Sequence, residues 1–167
     1  MKRWIPYLGV AAALAAADQL VKRWVTGQRD IWTTQGGWPR VSGFAGLTYT
    51  ENPGAAFGML PNARWFFVAL AALSVAGIIF ALVRGYFRSA WANWSLALIL
   101  GGALGNAIDR ALVGYVVDYI RLEFMEFAIF NLADICVVTG GILFAVSCTV
   151  FAPKPENPDA VESDSTP

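Results

Sequence analysis

The stretch FNLADICVVTGGILF, residues 130–144, is apolar over most of its length and carries one carboxylate, Asp134, at its fifth position. An ionisable group at membrane depth costs at least about 2.5–3.5 kcal/mol on insertion scales, and persists where it faces a bundle interior and finds partners. The segment therefore predicts a membrane helix with one side chain reserved for the interior or for chemistry.

The rest of the chain agrees. Of its 167 residues 57% are hydrophobic and 14% charged, against about 25% charged in a soluble domain. Mean hydropathy is +0.53. A helical span needs roughly 20 apolar residues, and four segments qualify, at about 4–25, 65–83, 91–108 and 128–151. Seven Trp and five Tyr suit membrane interfaces. The predicted fold class is an all-α integral membrane protein. It is expected to have four transmembrane helices with a small external β element, in one domain, residues 1–152, and external loops at 26–64 and 109–127. Residues 153–167, PKPENPDAVESDSTP, form an acidic, proline-rich tail, expected to be disordered. A secretory signal is the rival reading of MKRWIPYLGVAAALAAAD, but the pattern continues into DQLVK, where Asp18 and Lys22 share a helix face. Lys2, Arg3, Arg84, Arg88 and Lys154 place both termini and the turn after the second span in the cytoplasm.

Composition excludes several chemistries. Twelve basic and twelve acidic residues balance, leaving no basic face for nucleic acid. There is no His, so neither a Ser-His-Asp triad nor an ordinary zinc site can be assembled. Metal and cofactor are both expected to be none. Cys136 and Cys148 are twelve residues apart on one helix, roughly 18 Å, too far to bridge.

Carboxylates remain. With the stated orientation, Asp18 and Lys22 of the first span, Asn106, Asp109 and Arg110 at the end of the third, Asn131 and Asp134 at the start of the fourth, and Asp118 of the second external loop share one depth near the outer surface. The second span contributes nothing and is expected to face lipid. Asp18 with Lys22, and Asp109 with Arg110, are the pairs nearest in sequence. Asp118 and Asp134 are left without an obvious cation, with Arg121 the nearest spare. Two such carboxylates at one site share a proton and have the makings of an acid–base dyad that activates water.

Within the first external loop, RVSGFAGLTYTENPGAAFGML (40–60) reads as short strands with a turn at Asn52-Pro53-Gly54. The small, apolar stretch around Phe57 reads either as an ordinary interfacial loop or as a flexible lid with Phe57 touching a bound chain. GYVVDYIRLEF (114–124) alternates like a strand and carries Asp118. The small residues of GGALGN (101–106) permit close helix packing or leave room for a ligand.

DQLVK (18–22), ENPGAAFG (51–58), GGALGNAIDR (101–110), VVDYI (116–120) and FNLAD (130–134), in this order and spacing, resemble the bacterial lipoprotein signal peptidase family, also called signal peptidase II. The resemblance spans about Asp18 to Gly140. It implies an aspartic endopeptidase of the bacterial inner membrane that needs no metal. Such an enzyme removes the signal peptide of diacylglyceryl-modified prolipoproteins, cutting before the lipidated cysteine. It also implies contact with membrane lipid, and inhibition by globomycin-type compounds. The family's catalytic aspartates fall on Asp118 and Asp134. Supporting or substrate-binding positions fall on Asp18, Lys22, Asn52, Gly54, Phe57, Asn106, Asp109, Arg110 and Asn131. Tyr119, where the family often has Phe, and Ile135, where it often has Ser, depart from the pattern. A proton-coupled transporter or a purely structural membrane protein are the other classes the polar cluster allows. Confinement to one depth and the lack of an internal repeat argue against transport.

Overall fold

The computed structural model describes residues 3–30, 40–41, 43–54, 59–60 and 63–150. Helix α1 runs over Ile5–Gly27 with a proline in its first turn, where a missing N–H costs nothing. Helix α2, Arg64–Arg84, stops at Gly85, whose φ of 68° lies in the left-handed region that terminates helices. Helix α3 is Ala90–Leu112 and helix α4 is Leu132–Val150. Between them lie strands β1 (Arg40–Val41), β2 (Ala45–Asn52) and β3 (Val116–Leu122).

Helix α3 is central, with α1, α2 and α4 packed around it. Its glycines make this possible. A Cβ on Gly101 would meet Leu14 at 2.8 Å, one on Gly105 would meet Asp18 at 2.5 Å, and one on Gly102 would collide with the Ala133 carbonyl. Gly140 of α4 lies as closely against Ser95 and Ile99 of α3. The small-residue stripe therefore packs helices, and the alternative, room for a ligand, is taken up by α1 and α4.

Among the described residues three helices, α2, α3 and α4, are long and apolar enough to cross a membrane. Helix α1 is as long as α3, but Asp18, Lys22 and Arg23 interrupt its apolar character. Two boundaries differ from expectation. Helix α3 continues four residues past 108 and so carries Asp109 and Arg110 itself. The fourth helix starts at Leu132 rather than 128, because Phe130 is still bridged to Ile120 of β3. The tail 153–167 lies outside the described residues.

The strands form a three-stranded antiparallel sheet in the order β1-β2-β3, in the two stretches, 40–60 and 114–124, that read as strands from the sequence. Register pairs Thr50 with Asp118 and Asn52 with Val116, with an irregularity between Leu47 and Thr50. Val117 and Tyr119 of β3 bury with Val25 of α1, against Leu47 and Leu132. That small core fixes the sheet over the ends of α1 and α4 and so sets where Asp118 points.

Candidate active site

Helix α4 begins with a reciprocal cap. The Asn131 Oδ1 accepts from the Asp134 backbone N–H at 3.0 Å, and the Asp134 Oδ2 accepts from the Asn131 N–H at 3.1 Å. This is the geometry of a capping box, with Asn and Asp in the two roles. The other first-turn donors are also satisfied. Leu132 N–H donates to the Tyr119 hydroxyl at 3.1 Å and Ala133 N–H to Asp18 Oδ1 at 3.1 Å. Four residues from three elements thus use up the orphan N–H groups that every helix start presents. Asp134 is held at the third helical position by the same contacts.

Asp118 comes to the same place from β3. Its Oδ1 accepts from Asn131 Nδ2 at 2.7 Å and its Oδ2 from Asn52 Nδ2 at 2.9 Å. Asn52 is the diagonal neighbour of Asp118 across the β2–β3 pair, on the same sheet face. The Asn52 Oδ1 in turn accepts from Gly54 N–H at 3.0 Å, an Asx turn at the Asn52-Pro53-Gly54 corner. Asp134 Oδ1 accepts from Asn106 Nδ2 at 2.7 Å. All four oxygens of the two carboxylates therefore accept from amides, three from asparagine side chains and one from a backbone N–H.

Asn106 cannot be turned round. Its Oδ1 accepts from Lys22 Nζ at 2.8 Å and from Asn131 Nδ2 at 3.1 Å, so its NH₂ must face Asp134. Lys22 also contacts Asp18 Oδ2 and Asp109 Oδ2, each at 2.8 Å, so three acceptors take the three donors of its ammonium. Asp109 further accepts from Gln19 Nε2 at 2.7 Å and from the Val117 N–H at 3.2 Å, tying α3 to α1 and to β3.

This corrects the expected pairing of Asp109 with Arg110. Neighbours in sequence point about 100° apart around a helix and do not face each other. Lys22 serves both Asp18 and Asp109, while Arg110 turns to the cleft. Its Nη2 donates to the Gly54 carbonyl at 2.9 Å, and its guanidinium lies 5.0 Å from the Phe67 ring centroid. Helix α2 is thus not wholly idle, although most of it is exposed. Phe67 supports Arg110, and Arg64 Nη2 donates to the Ala111 carbonyl at 2.6 Å.

Burial pushes the Asp118 carboxyl up to about 6, and the nearby Asp134 charge adds to this, while the amides of Asn52 and Asn131 oppose it. Burial likewise raises the Tyr119 phenol to about 12, so its hydroxyl stays neutral at the head of α4. Both aspartates open onto a cleft of about 420 Å³ whose walls include Val116, Phe130, Ile135 and Val138. A larger depression over residues 121–128 lies beside it and holds neither aspartate. Among the described residues no three His, Cys, Asp or Glu side chains gather as a metal ligand set.

Comparison with known proteins agrees with this architecture. A family described as signal peptidase (SPase) II matches residues 10–150. A lipoprotein signal peptidase of Streptococcus thermophilus is 44% identical over 131 residues, 78% of this chain and 84% of that protein. One from Symbiobacterium thermophilum is 44% identical over 138 residues, covering 81% and 90%. The chain belongs to the signal peptidase II family. Two bacterial membrane enzymes solved by the in meso method share its fold. One has a TM-score of 0.76 at 25% identity, covering 91% of this chain and 94% of that one. The other has a TM-score of 0.71 at 27% identity, covering 86% and 92%.

Set against the family's motifs, the fold gathers Asp18, Lys22, Asn52, Gly54, Asn106, Asp109, Arg110, Asn131, Asp118 and Asp134 into one connected network. Phe57 lies outside the described residues. Two members were not singled out from sequence. Gln19 stands inside the quoted DQLVK, and its hydrogen-bonding amide beside Asp18 was the available signal. Tyr119 was noted only as a departure from the family pattern, and its hydroxyl turns out to cap α4. Ile135, the other departure, is 41% exposed and stands at the cleft mouth.

Proposed function

We propose that this signal peptidase II family member is an aspartic endopeptidase that removes signal peptides from diacylglyceryl-modified prolipoproteins, with Asp118 and Asp134 as its catalytic pair. The observation that carries it is the two carboxylates meeting at one apolar-walled cleft, each held by asparagine amides and neither in an ion pair among the described residues. Asp118, whose carboxyl burial pushes up to about 6, holds the shared proton. Asp134 takes a proton from water as the water oxygen bonds to the scissile carbonyl carbon. Asp118 gives its proton to the carbonyl oxygen. Collapse of the resulting diol returns a proton to the leaving nitrogen and breaks the C–N bond.

The cleft rim supports a lipid-bearing substrate. Phe127, Ile135 and Val138 line it and are 49%, 41% and 60% exposed, so an acyl chain arriving through the bilayer meets apolar surface beside the carboxylates. Each buried methylene contributes about 0.8 kcal/mol. This rim, formed by Phe127 and the start of α4, rather than the packed glycines of α3, is where the diacylglyceryl group rests. Globomycin-type inhibitors would occupy the same cleft.

Helix α1 is the fourth span in this proposal. Asp18 and Lys22 are buried against α3 and α4, while Leu20 and Trp24 face outward, so the charges that interrupt its sequence are hidden from lipid. With Arg3, Arg84 and Arg88 on the cytoplasmic side, both termini are cytoplasmic and the cleft lies at the outer leaflet.

The test is cleavage of a diacylglyceryl-prolipoprotein by the purified protein in detergent. Asp118→Asn and Asp134→Asn should each abolish product, and EDTA should leave the wild-type rate unchanged. Substantial cleavage by either variant, loss in EDTA with recovery on added zinc, or equal rates on unlipidated precursor would overturn the proposal.

A further inference from the structure

At the end of the bundle away from the catalytic pair, a cavity of about 560 Å³ opens between the start of α1, the end of α2 and the start of α3. Arg3 and Arg88 line it, and no carboxylate does. Among the described residues neither guanidinium has an acidic partner. We infer that this cavity binds the phosphate headgroup of an anionic phospholipid.

The turn that presents Arg88 is built to stay in place. Asn93 Nδ2 donates to the carbonyls of Phe87 and Ser89, the residues on either side of Arg88, at 3.0 Å each. The Phe87 ring packs edge-on against Phe144 of α4 at 5.0 Å. Across the cavity, Tyr7 packs edge-on against Trp94 at 4.7 Å, which fixes the first turn of α1. Two guanidiniums lining one cavity suit a phosphate, whose oxygens match their fork of donors. Helices α1 and α3 both start at this cavity, and neither has a side-chain cap or a first-turn acid. Their free N–H groups and dipoles add to the positive potential.

The surroundings favour a lipid over a free anion. Tyr86 and Trp91, next in sequence to the lining residues Gly85 and Ala90, are 61% and 60% exposed, as aromatic residues are at headgroup depth. Leu82 and Val83 form the wall on the α2 side, and Val83 is 46% exposed, so acyl chains leaving the cavity run along apolar α2. The first residue of α1, Ile5, is thirteen residues before Asp18, roughly 20 Å along the helix at 1.5 Å per residue, which places this site in the leaflet opposite the cleft.

The experiment uses the full chain in non-ionic detergent, titrated with phosphatidylglycerol, phosphatidylcholine or inorganic phosphate and read by native mass spectrometry. One phosphatidylglycerol should be retained in preference to phosphatidylcholine, and millimolar phosphate should not displace it. Arg3→Gln with Arg88→Gln should weaken retention roughly five- to thirtyfold, with the cleavage rate of the wild type. Should the double variant melt early, Arg88→Gln alone should give a smaller loss in the same direction. Arg84→Gln removes the same charge outside the cavity, where its guanidinium lies over Phe80 at 5.4 Å, and should leave retention within about twofold. An equal loss with Arg84→Gln would mean diffuse surface charge and sink the site. So would equal retention of both lipids, or displacement by free phosphate. The tail carries Glu156, Asp159, Glu162 and Asp164. Truncation after residue 152 that creates lipid binding absent from the full chain would make the tail the occupant and overturn the inference.

Discussion

Lys22→Met tests the polar network at the place where most of it converges. The ammonium of Lys22 contacts Asp18 and Asp109 at 2.8 Å each, so the two Oδ2 atoms lie at most twice that distance apart. At an effective dielectric of about 20, two like charges at that separation repel by about 3 kcal/mol, which the cation between them more than offsets. Without it Asp109 keeps Gln19 and the Val117 N–H, and Asp18 keeps only the Ala133 N–H. Removing one partner of a buried ion pair costs about 3–5 kcal/mol, and here two carboxylates lose the same partner. In a protein of this size that lowers Tm by roughly 10 °C or more. Adding Asp18→Asn removes one of the repelling charges while its Oδ1 still accepts from Ala133, so the double variant should recover part of the loss. Asp18→Asn alone leaves Lys22 paired with Asp109 and should cost much less than Lys22→Met. The assay is thermal unfolding in detergent with cleavage measured alongside. Lys22→Met also releases Asn106 from its orientation toward Asp134, so activity should fall with stability. A Lys22→Met protein that melts within about 3 °C of wild type, or a double variant less stable than Lys22→Met, would show that the triad does not carry the load assigned to it.

Other outcomes follow from the same geometry. Asp118→Asn should abolish cleavage yet stay within about 1–2 kcal/mol of wild type, because relief of a buried charge offsets one misdirected amide contact; a melting loss as large as that of Lys22→Met would make Asp118 structural. Since Asp118 has a pKa of about 6 in the folded protein against 3.8 as its ordinary value, the native state holds the extra proton. Its stabilising share is full below about pH 4 and is lost as pH rises through about 6, some 3 kcal/mol in all. The wild-type Tm should therefore fall relative to that of Asp118→Asn over this window, and parallel curves would contradict it. If Asp118 is the acid, kcat/KM should decline on the alkaline side of about pH 6, and a rate rising through that region would exclude the assignment. Tyr119→Phe orphans the Leu132 N–H at the head of α4 and should cost about 1–3 kcal/mol, seen as a lower Tm; no change would mean that water or another group takes its place. On a background lacking Cys136 and Cys148, an external thiol reagent should modify Phe44→Cys, at a position 59% exposed, and not Tyr86→Cys, and the reverse pattern would invert the topology.

Much of the site was legible in the chain itself. Helix rise is fixed at 1.5 Å per residue, so the positions of Asp18, Asn106 and Asp134 along their apolar segments are enough to put them at one depth. Period-two alternation over 114–124 and the strand-forming composition of 40–60 pointed to the strands of the sheet, and the ordered motifs identified the family. Other features depended on the third dimension. Asp109 and Arg110 adjoin in sequence but diverge once α3 continues through them, and it is the approach of α1 that brings Lys22 between Asp18 and Asp109. The glycines of α3 could serve packing or a ligand until α1 and α4 were seen filling the space. Nothing local to Asn106 says which way its amide faces; Lys22 and Asn131, from two other helices, claim its oxygen and leave the NH₂ for Asp134. Sequence determines what each segment is able to donate or bury. Which donor meets which acceptor is decided when helices from distant parts of the chain pack, because a buried polar group must take its partner from whatever that packing brings within about 3 Å.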